Sequence, residues 1–336
     1  MARALEVIQP HPSWEIIDSS KLTLYMECPR KYFYRHVVGW DLEASSNHLV
    51  FGSAWHLAVE HLLRNDYSRQ SLEEAKILFL NYYRQHFGED TDELFVPKDP
   101  ENALLSLQQY AKRFISDIHQ YKVLHTEIAG VVLISPTAEM HFKLDAVVEN
   151  REAKKILYID HKTSQRRYED WRDHYLLSTQ MLLYYHALNC FYSREEIEAC
   201  IIRTTFFYTS ESRVKSPRYF KPTLFEEGLI VKNDQQMQDW LIQTNVWYQN
   251  LKYDMLLLEE EESTERSSMM AFAKNPTNCF SYGRPCEFLD FCAYKTNPLP
   301  VVAQGIPLGF QESFWDPRES PEIRETVNLV SEEKKE

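Results

Sequence analysis

Glycine is scarce in this sequence, with eight residues among 336. Because tight turns with positive φ depend on glycine, the scarcity argues against a β-sandwich that contains many short hairpins. Long apolar runs are missing too, since no stretch reaches the roughly 20 apolar residues that a membrane-spanning helix needs. The first 14 residues contain no basic segment followed by an apolar run, so no signal peptide is predicted. We therefore expect a cytoplasmic protein without a membrane partner.

Positive charge is also in deficit. The chain has 37 Lys and Arg residues against 50 Asp and Glu residues, which gives a formal net charge of −13. This balance excludes a protein that coats nucleic acid through bulk charge, although a local basic track is compatible with it. The phosphate-binding pattern Gly-x-x-x-x-Gly-Lys does not occur in the sequence, so a helicase motor is not encoded here.

Hydrophobic periodicity predicts an α/β fold with a helical first third and a strand-rich middle. We expect helices at 19–36, 50–65, 71–87, 101–122, 176–190 and 233–258, and strands at 127–134, 138–149, 155–163, 199–208 and 218–226. The chain is divided into an irregular N-terminal arm (1–18), a helical part (19–125), a core (126–262), a cysteine-rich loop segment (263–300) and a charged C-terminal tail (301–336).

Two acids and a lysine are the main candidates for chemistry. Asp145 lies on the strand predicted at 138–149, and the next strand carries Asp160, His161 and Lys162. Because side chains alternate along a strand, Asp160 and Lys162 point to one face, and a hairpin can bring Asp145 beside them. Two carboxylates at one point can bind Mg²⁺ or Mn²⁺, and an adjacent lysine can orient water and stabilise charge on a phosphate. The His161 side chain would face away, while its backbone carbonyl could face the metal. The alternative is a hairpin with exposed charges.

Three further polar residues lie on predicted helices. His56 follows the sequence Gly-Ser-Ala-Trp and could be an additional metal ligand, or a histidine of the core or surface. Gln180 and Tyr184 are four residues apart, so they share one helix face. Both side chains can form a hydrogen bond with a phosphate or a base, but such a pair also suits ordinary helix packing.

Four of the six cysteines suggest a second metal site. Cys279, Cys286 and Cys292 lie close together near the C-terminus, and Cys28 lies far upstream. Four thiolates suit either an iron–sulfur cluster or zinc. Structural zinc sites more often contain a closely spaced pair, so the wider spacing favours iron–sulfur. The other two cysteines lie in apolar stretches and are predicted to be buried; they are Cys190 and Cys200.

Taken in order, these residues resemble the RecB-like iron–sulfur nucleases of the PD-(D/E)xK superfamily. This group includes the AddB nuclease domain and the CRISPR-associated adaptation exonucleases, and the resemblance runs from Cys28 to Cys292. It implies a restriction-endonuclease-like core, with a central mixed sheet flanked by helices, a helical N-terminal part and a C-terminal cysteine-rich loop segment. The sequence departs from the family at three points: Phe142 replaces a frequent glycine, His161 replaces a common tyrosine, and six residues separate Cys279 from Cys286.

The same resemblance implies an activity and a role for each residue. The activity would be metal-dependent hydrolysis of DNA, as an exonuclease on single strands or DNA ends. Since the sequence encodes no helicase motor, the protein would be either a freestanding nuclease or a subunit that works with a helicase or another DNA-processing subunit. The metal, Mg²⁺ or Mn²⁺, would be held by His56, Asp145 and Asp160; Lys162 would be catalytic; Gln180 and Tyr184 would support DNA binding; and Cys28, Cys279, Cys286 and Cys292 would hold a [4Fe–4S] cluster.

Two other functions remain open from the sequence. The chain could be a catalytically weak DNA-binding or assembly subunit stabilised by an iron–sulfur cluster or zinc, or the same residues could act on RNA. Basic residues mixed with aromatic residues could line a track for a single strand. The candidates for this track are Arg30, Lys31, Tyr32, Arg35, Arg166, Arg167, Arg172, Arg213, Lys215 and Arg218.

Overall fold

A six-stranded mixed β-sheet forms the centre of the protein, whose structure is a computed structural model that describes residues 4–207, 223–261, 267–281 and 283–330. In chain order the strands are β1 (Tyr121–Ser135), β2 (Ala138–Asn150), β3 (Ile156–Ser164), β4 (Ile197–Phe206), β5 (Leu224–Ile230) and β6 (Glu325–Asn328). Their order across the sheet is β6-β1-β2-β3-β4-β5. The pairs β3–β4 and β6–β1 are parallel, and the other pairs are antiparallel. The predicted α/β fold with a central mixed sheet is confirmed.

In the part of the chain that the structure describes, six longer helices flank this sheet: α1 (Ser19–Glu27), α2 (Asn47–Arg64), α3 (Arg69–Arg84), α4 (Pro100–Phe114), α5 (Thr179–Phe191) and α6 (Asp234–Glu260). Helix α5 is the crossover that joins the parallel strands β3 and β4. One apolar core contains side chains of α1, α5 and α6, and a second core contains side chains of α2, α3 and α4. Since Tyr158 belongs to the first core and its neighbour Ile159 to the second, the two cores lie on opposite faces of the sheet.

Shorter elements connect these parts. Helical segments lie at Ala4–Val7, Pro12–Glu15, Pro29–Tyr32, Phe33–Val37, Glu89–Leu94, Asp117–Gln120, Trp171–Tyr175, Pro276–Asn278, Leu289–Tyr294, Leu299–Val302 and Pro317–Glu319, and short strands lie at Trp40–Leu42, Phe280–Ser281, Arg284–Pro285 and Phe310–Glu312. Among the described helices, none combines the length and the apolar character that crossing a membrane would require. The strand expected at 218–226 begins at Leu224 in the structure, and positions 208 and 218–222 lie outside the described residues.

The helix predicted at 19–36 is divided at Cys28. Proline disfavours the helical conformation in the residue before it, and Cys28, which precedes Pro29, has an extended backbone with φ −162° and ψ 108°. The chain then resumes as a short helix at Pro29–Tyr32 and continues as a π-helical turn to Val37. Cys28 therefore stands at a junction between helices rather than within one.

The segments expected as an arm and a tail both contact the core. Ala4, Ile8 and Trp14 are buried, and the N–H of Ala4 donates to the carbonyl of Glu261 at the end of α6. At the other end, Phe310–Glu312 pairs with Trp40–Leu42, and β6 extends the central sheet beside β1. Because strands pair through their backbone groups, the charged composition of this segment gave no indication that it would pair with other strands. Residues 331–336, the most charged part of the expected tail, lie outside the described residues.

Candidate metal centre

The centre lies where β2 and β3 separate. Their ladder ends at the pair Ala146 and Ile159, so the next residues on each strand, Asp145 and Asp160, are not part of it. The carboxylate of Asp145 lies in the opening and accepts a hydrogen bond from the backbone N–H of His161, with an N–O distance of 2.8 Å. The gap between these two central strands therefore holds carboxylate oxygens that can act as metal ligands.

Three potential ligands converge in this opening. One ligand atom each from His56, Glu127 and Asp145 lies within 4.8 Å of the other two, and Nδ1 of His56 is 3.5 Å from Oδ2 of Asp145. Glu127 is 1% exposed and Asp145 is 6% exposed. Two carboxylates suit a hard cation such as Mg²⁺ or Mn²⁺, and an imidazole is compatible with Mn²⁺ and other transition metals. The donor set therefore fits a divalent metal ion.

The electrostatics of the two acids support this fit. Burial, together with the negative charge of Asp145, raises the pKa of Glu127 to about 9. Burial alone would also raise the pKa of Asp145, but His56, the hydrogen bond from His161 and the charge of Lys162 together hold this pKa below its usual range. Adjacent buried carboxylates repel each other, and a bound cation would stabilise both in the charged form.

Lys162 lies on the neighbouring strand, and two side chains hold its ammonium group. Nζ is 2.8 Å from Oδ2 of Asp160 and 2.9 Å from Oε1 of Gln180, and Gln180 in turn donates to the hydroxyl of Tyr184 at 2.9 Å. Burial lowers the pKa of Lys162, but the charges of Asp160 and Asp145 more than offset this, so the lysine stays protonated near neutral pH. Gln180 and Tyr184, expected to contact DNA, thus also position the lysine.

Asp160 is held differently from Asp145. Its Oδ1 accepts hydrogen bonds from the hydroxyl of Tyr158, at 2.6 Å, and from Lys162, at 3.0 Å. Burial and the nearby charge of Asp145 raise the pKa of Asp160, although Lys162 lowers it. The carboxylate of Asp160 is not a member of the group formed by His56, Glu127 and Asp145.

The His161 side chain lies on the face opposite Asp160 and Lys162, yet it stays beside the centre: its Nδ1 is 3.7 Å from Oδ2 of Asp145, and its ring centroid is 6.1 Å from that of His56. Its Nε2 is 3.0 Å from the hydroxyl of Tyr110, which accepts a hydrogen bond from Arg203, and Arg203 pairs with Asp117 at 2.8 Å. A strand residue directs its N–H and C=O to the same side. Since the N–H of His161 reaches Asp145, the carbonyl of His161 faces the same opening.

Glu127 is the site residue that the sequence did not single out. The hairpin pair Ser135 and Ala138, continued without a shift, would place Ile128 opposite Asp145. The register shift between Leu133 and Ser135 moves this pairing by one residue, so Glu127 stands opposite Asp145 between the pairs Thr126–Ala146 and Ile128–Leu144. The sequence did contain one indication of this role: Glu127 is next to Ile128, the residue that an unshifted hairpin would place opposite Asp145.

The four predicted cluster cysteines line a single pocket of about 370 Å³. Cys28, Cys279, Cys286 and Cys292 are all partly buried and form no disulfide. The N–H of Cys286 donates to the carbonyl of Cys279 at 2.8 Å. The loop is tied to the end of α1, because the side-chain amides of Asn275 and Asn278 both donate to the carbonyl of Glu27.

Three basic side chains lie around this pocket, which Glu27 also lines. Lys31 and Lys274 line it, and the buried guanidinium of Arg30 is close enough to lower the pKa of Cys292, which burial raises. Two carbonyls accept from Arg30, those of Phe272 and Ala271, while its Nη1 has no hydrogen bond among the described residues. Four thiolates with a metal cluster carry negative charge, so the cationic surroundings fit such a group.

Several sequence-based expectations require correction. Arg30 and Tyr32 are buried and so do not line an open DNA track. Lys31 pairs with Glu287, and Arg35 pairs with Asp41 and donates to the carbonyl of Ser313. Cys190, expected to be buried, is exposed near the end of α5, whereas Cys200 is buried on β4. Arg166, Arg167 and Arg172 are exposed, although Arg167 pairs with Glu226. The remaining candidates lie outside the described residues: Arg213, Lys215 and Arg218.

Comparison with known proteins identifies the family of this chain. No curated protein matches the chain. A solved structure titled "Crystal structure of SSO0001" matches with 13% identity over 56% of this chain and 85% of that chain, with a TM-score of 0.26, which is too low to support an argument. The family profile described as "PD-(D/E)XK nuclease superfamily" matches residues 19–294, which contain the whole candidate centre. The chain belongs to the PD-(D/E)XK nuclease superfamily.

Proposed function

We propose that the protein is a RecB-like, metal-dependent DNA exonuclease that hydrolyses phosphodiester bonds in single strands or at DNA ends. One observation carries the proposal: His56, Glu127 and Asp145 converge within 4.8 Å beside a protonated Lys162 that is fixed by Asp160 and Gln180. Family membership supplies the nuclease class, and the arrangement has the two parts that hydrolysis of a phosphodiester needs, a ligand set for a cation and a positioned ammonium group.

Each residue of the centre has a distinct role in this proposal. His56, Glu127 and Asp145 would hold Mg²⁺ or Mn²⁺, and the backbone carbonyl of His161 faces the same opening. Asp160, expected from the sequence to be a ligand as well, lies outside this group of three and pairs with Lys162. The cation, when bound, activates water and stabilises negative charge on the phosphate. His161 positions Asp145 through its N–H.

Lys162 would act directly on the substrate. Its ammonium group is preorganised by Asp160 and Gln180, so it can stabilise the charge that develops on the phosphate without a costly rearrangement. Gln180 and Tyr184 also line a pocket of about 390 Å³ next to the centre. Its other walls include Phe142, which is buried, and Phe314, which is stacked on His11. Trp315, which is 41% exposed, also lines the pocket and offers a ring on which a base of a single strand can stack.

The pocket leads to a prediction about substrate. Stacking contributes about 1–3 kcal/mol per base, so single strands and frayed ends should be cleaved roughly 10-fold faster or more than closed circular duplex. The measurement compares a 5′-labelled DNA strand, its blunt duplex, a closed circle and an RNA strand of the same sequence, each with Mn²⁺ and with chelator. Equal rates on the closed circle and the single strand would contradict the proposed exonuclease, and faster cleavage of RNA would move the substrate to RNA. If single-stranded DNA is the substrate, a helicase subunit would be a suitable partner, since it would supply the separated strand.

We also propose that the four cysteines hold a [4Fe–4S] cluster. Sulfur ligands lie about 2.3 Å from a tetrahedral zinc, so four of them would be ~3.8 Å apart. In the described part of the chain, the only group of at least three His, Cys or acidic ligand atoms within 4.8 Å of one another is that of His56, Glu127 and Asp145. The thiols are therefore spread more widely than zinc requires, which supports the larger cluster. Free cysteines of this kind also suit the reducing cytoplasm, where we place the protein.

The metal in the cysteine pocket can be identified directly. Protein purified without oxygen should be brown, should contain about four irons per chain and should lose its visible absorption when reduced. Iron, zinc and acid-labile sulfide are measured on the same sample, with Cys286→Ala as the variant expected to lose the iron. A colourless wild-type protein with one zinc per chain and no iron would show that the pocket is a zinc site.

A further inference from the structure

Lys143 is held between two buried carboxylates next to the metal centre. Its Nζ lies 3.0 Å from Oε2 of Glu127 and also contacts the carboxylate of Glu322. Glu127 is 1% exposed and Glu322 is 7% exposed. Within the described residues, Oε2 of Glu127 has no hydrogen bond of regular geometry, so the ammonium charge is its partner. This oxygen belongs to a side chain that is itself one of the three candidate metal ligands.

The C-terminal segment fixes the position of Glu322. Two residues further on, the backbone N–H of Arg324 donates to the carbonyl of Glu127 at 2.9 Å. The guanidinium of Arg324 lies 3.3 Å from the carboxylate of Glu60 on α2, and strand β6 then continues along β1. Glu322 is therefore built into the sheet edge beside the centre, and the C-terminal segment contributes to the active-site region.

The charges around the centre balance when a single divalent cation is present. A bound cation favours the charged forms of Glu127 and Asp160, whose pKa values are raised without it. Four carboxylates then contribute four negative charges and two lysines two positive charges, so one divalent ion brings the sum to zero. These groups are Glu127, Asp145, Asp160 and Glu322, and Lys143 and Lys162. Phosphodiesterases with two metal ions hold them about 3.5–4 Å apart, and a carboxylate shared by both ions would stand where Glu127 stands between the ligand group and Lys143.

We propose that the ammonium group of Lys143 occupies the position of a second divalent cation, so that the centre binds one metal ion and shares Glu127 between that ion and the lysine. The inference rests on the metal centre proposed above. It assigns Lys143 and Glu322 to the active centre as a permanent cation and the carboxylate that holds it. Removing the lysine while keeping both acids should open a second metal site.

The test is Mn²⁺ binding to the full-length protein, followed by electron paramagnetic resonance without any substrate. The wild type should bind one Mn²⁺ that Asp145→Asn removes, with the spectrum of an isolated ion. Lys143→Gln should bind two such ions and show the spectrum of a spin-coupled pair. The double variant Lys143→Gln with Glu322→Gln should return to one ion. Lys122→Gln, which changes an exposed lysine on β1, is the matched control and should remain at one.

Each outcome decides the question. A spin-coupled pair in the wild type would overturn the inference and leave the proposed nuclease centre intact. A folded Lys143→Gln protein that still binds a single ion would overturn it as well. If the wild type binds no Mn²⁺, or binds only Mn²⁺ that the Asp145→Asn substitution does not remove, the metal centre itself would be contradicted. If Lys143→Gln fails to fold, Lys143→Met replaces it, and the wild-type stoichiometry remains decisive without any variant.

Discussion

Replacing Lys162 with methionine should reduce the rate of DNA cleavage by roughly 10²–10³-fold, the usual effect of losing one preorganised electrostatic contact to a transition state. The affinity for Mn²⁺ should change little, because Lys162 pairs with Asp160 and Gln180 and none of the three ligand atoms of the metal group belongs to it. Methionine keeps most of the volume of the lysine stem, so the surrounding side chains stay in place. The measurement is the single-turnover cleavage rate together with an Mn²⁺ titration.

Two comparisons make this prediction specific. Lys154→Met changes an exposed lysine in the turn between β2 and β3 and should leave both the rate and the metal affinity unchanged. Asp145→Asn should lose the metal and cleavage together, because this residue belongs to the ligand group and accepts the N–H of His161. A folded Lys162→Met protein that cleaves at the wild-type rate would remove the lysine from the mechanism and leave the metal assignment standing.

Losing one cluster ligand should destabilise the whole fold. Cys28 and Cys279 are about 250 residues apart, and a crosslink over such a loop contributes ~5 kcal/mol in the simple loop-closure model. The chain ends are also joined by the pairing of Trp40–Leu42 with Phe310–Glu312 and of β6 with β1. These pairings already close part of the loop without the cluster, so the cluster contributes less than the simple model gives. We expect Cys28→Ala to lower the free energy of unfolding by about 2–4 kcal/mol.

A double-variant comparison separates one shared cluster from independent cysteines. Cys28→Ala and Cys286→Ala should each lose the iron and lower the melting temperature by similar amounts, and the combined variant should be little worse than either one, since both changes remove the same object. Cys190→Ala, at an exposed cysteine outside the pocket, is the control and should keep both the iron and the stability. Additive destabilisation, or a Cys28→Ala protein that keeps its iron, would show that the cysteines do not form one site.

The sequence allowed prediction of those features that depend on local pattern. Alternation along one strand was enough to place Asp160 and Lys162 together, and the structure shows them 2.8 Å apart. Helical spacing was enough to place Gln180 beside Tyr184, which form a hydrogen bond. Proline after Cys28 was also visible, although its consequence, the break between α1 and the next helix, was not drawn from the pattern.

Features that depend on register or on distant backbone pairing were not predictable from the sequence. Glu127 faces Asp145 only because the β1–β2 ladder shifts by one residue near its hairpin, and such irregularities have no clear sequence signature. Arg30 looked like part of a basic surface, yet it is buried because two carbonyls, of Phe272 and Ala271, some 240 residues away accept its hydrogen bonds. The pairing of β6 with β1 likewise depends on backbone groups, which the composition of a charged segment does not reveal.

We propose that His56, Glu127 and Asp145 hold the catalytic metal ion. The most direct measurement is anomalous diffraction at the manganese absorption edge, from crystals of the full-length protein grown with Mn²⁺. We expect one strong peak in the opening between β2 and β3, at bonding distance, about 2.0–2.3 Å, from all three side chains. A peak bound by Asp145 and Asp160 without Glu127, or no peak in this opening at saturating Mn²⁺, would contradict the account.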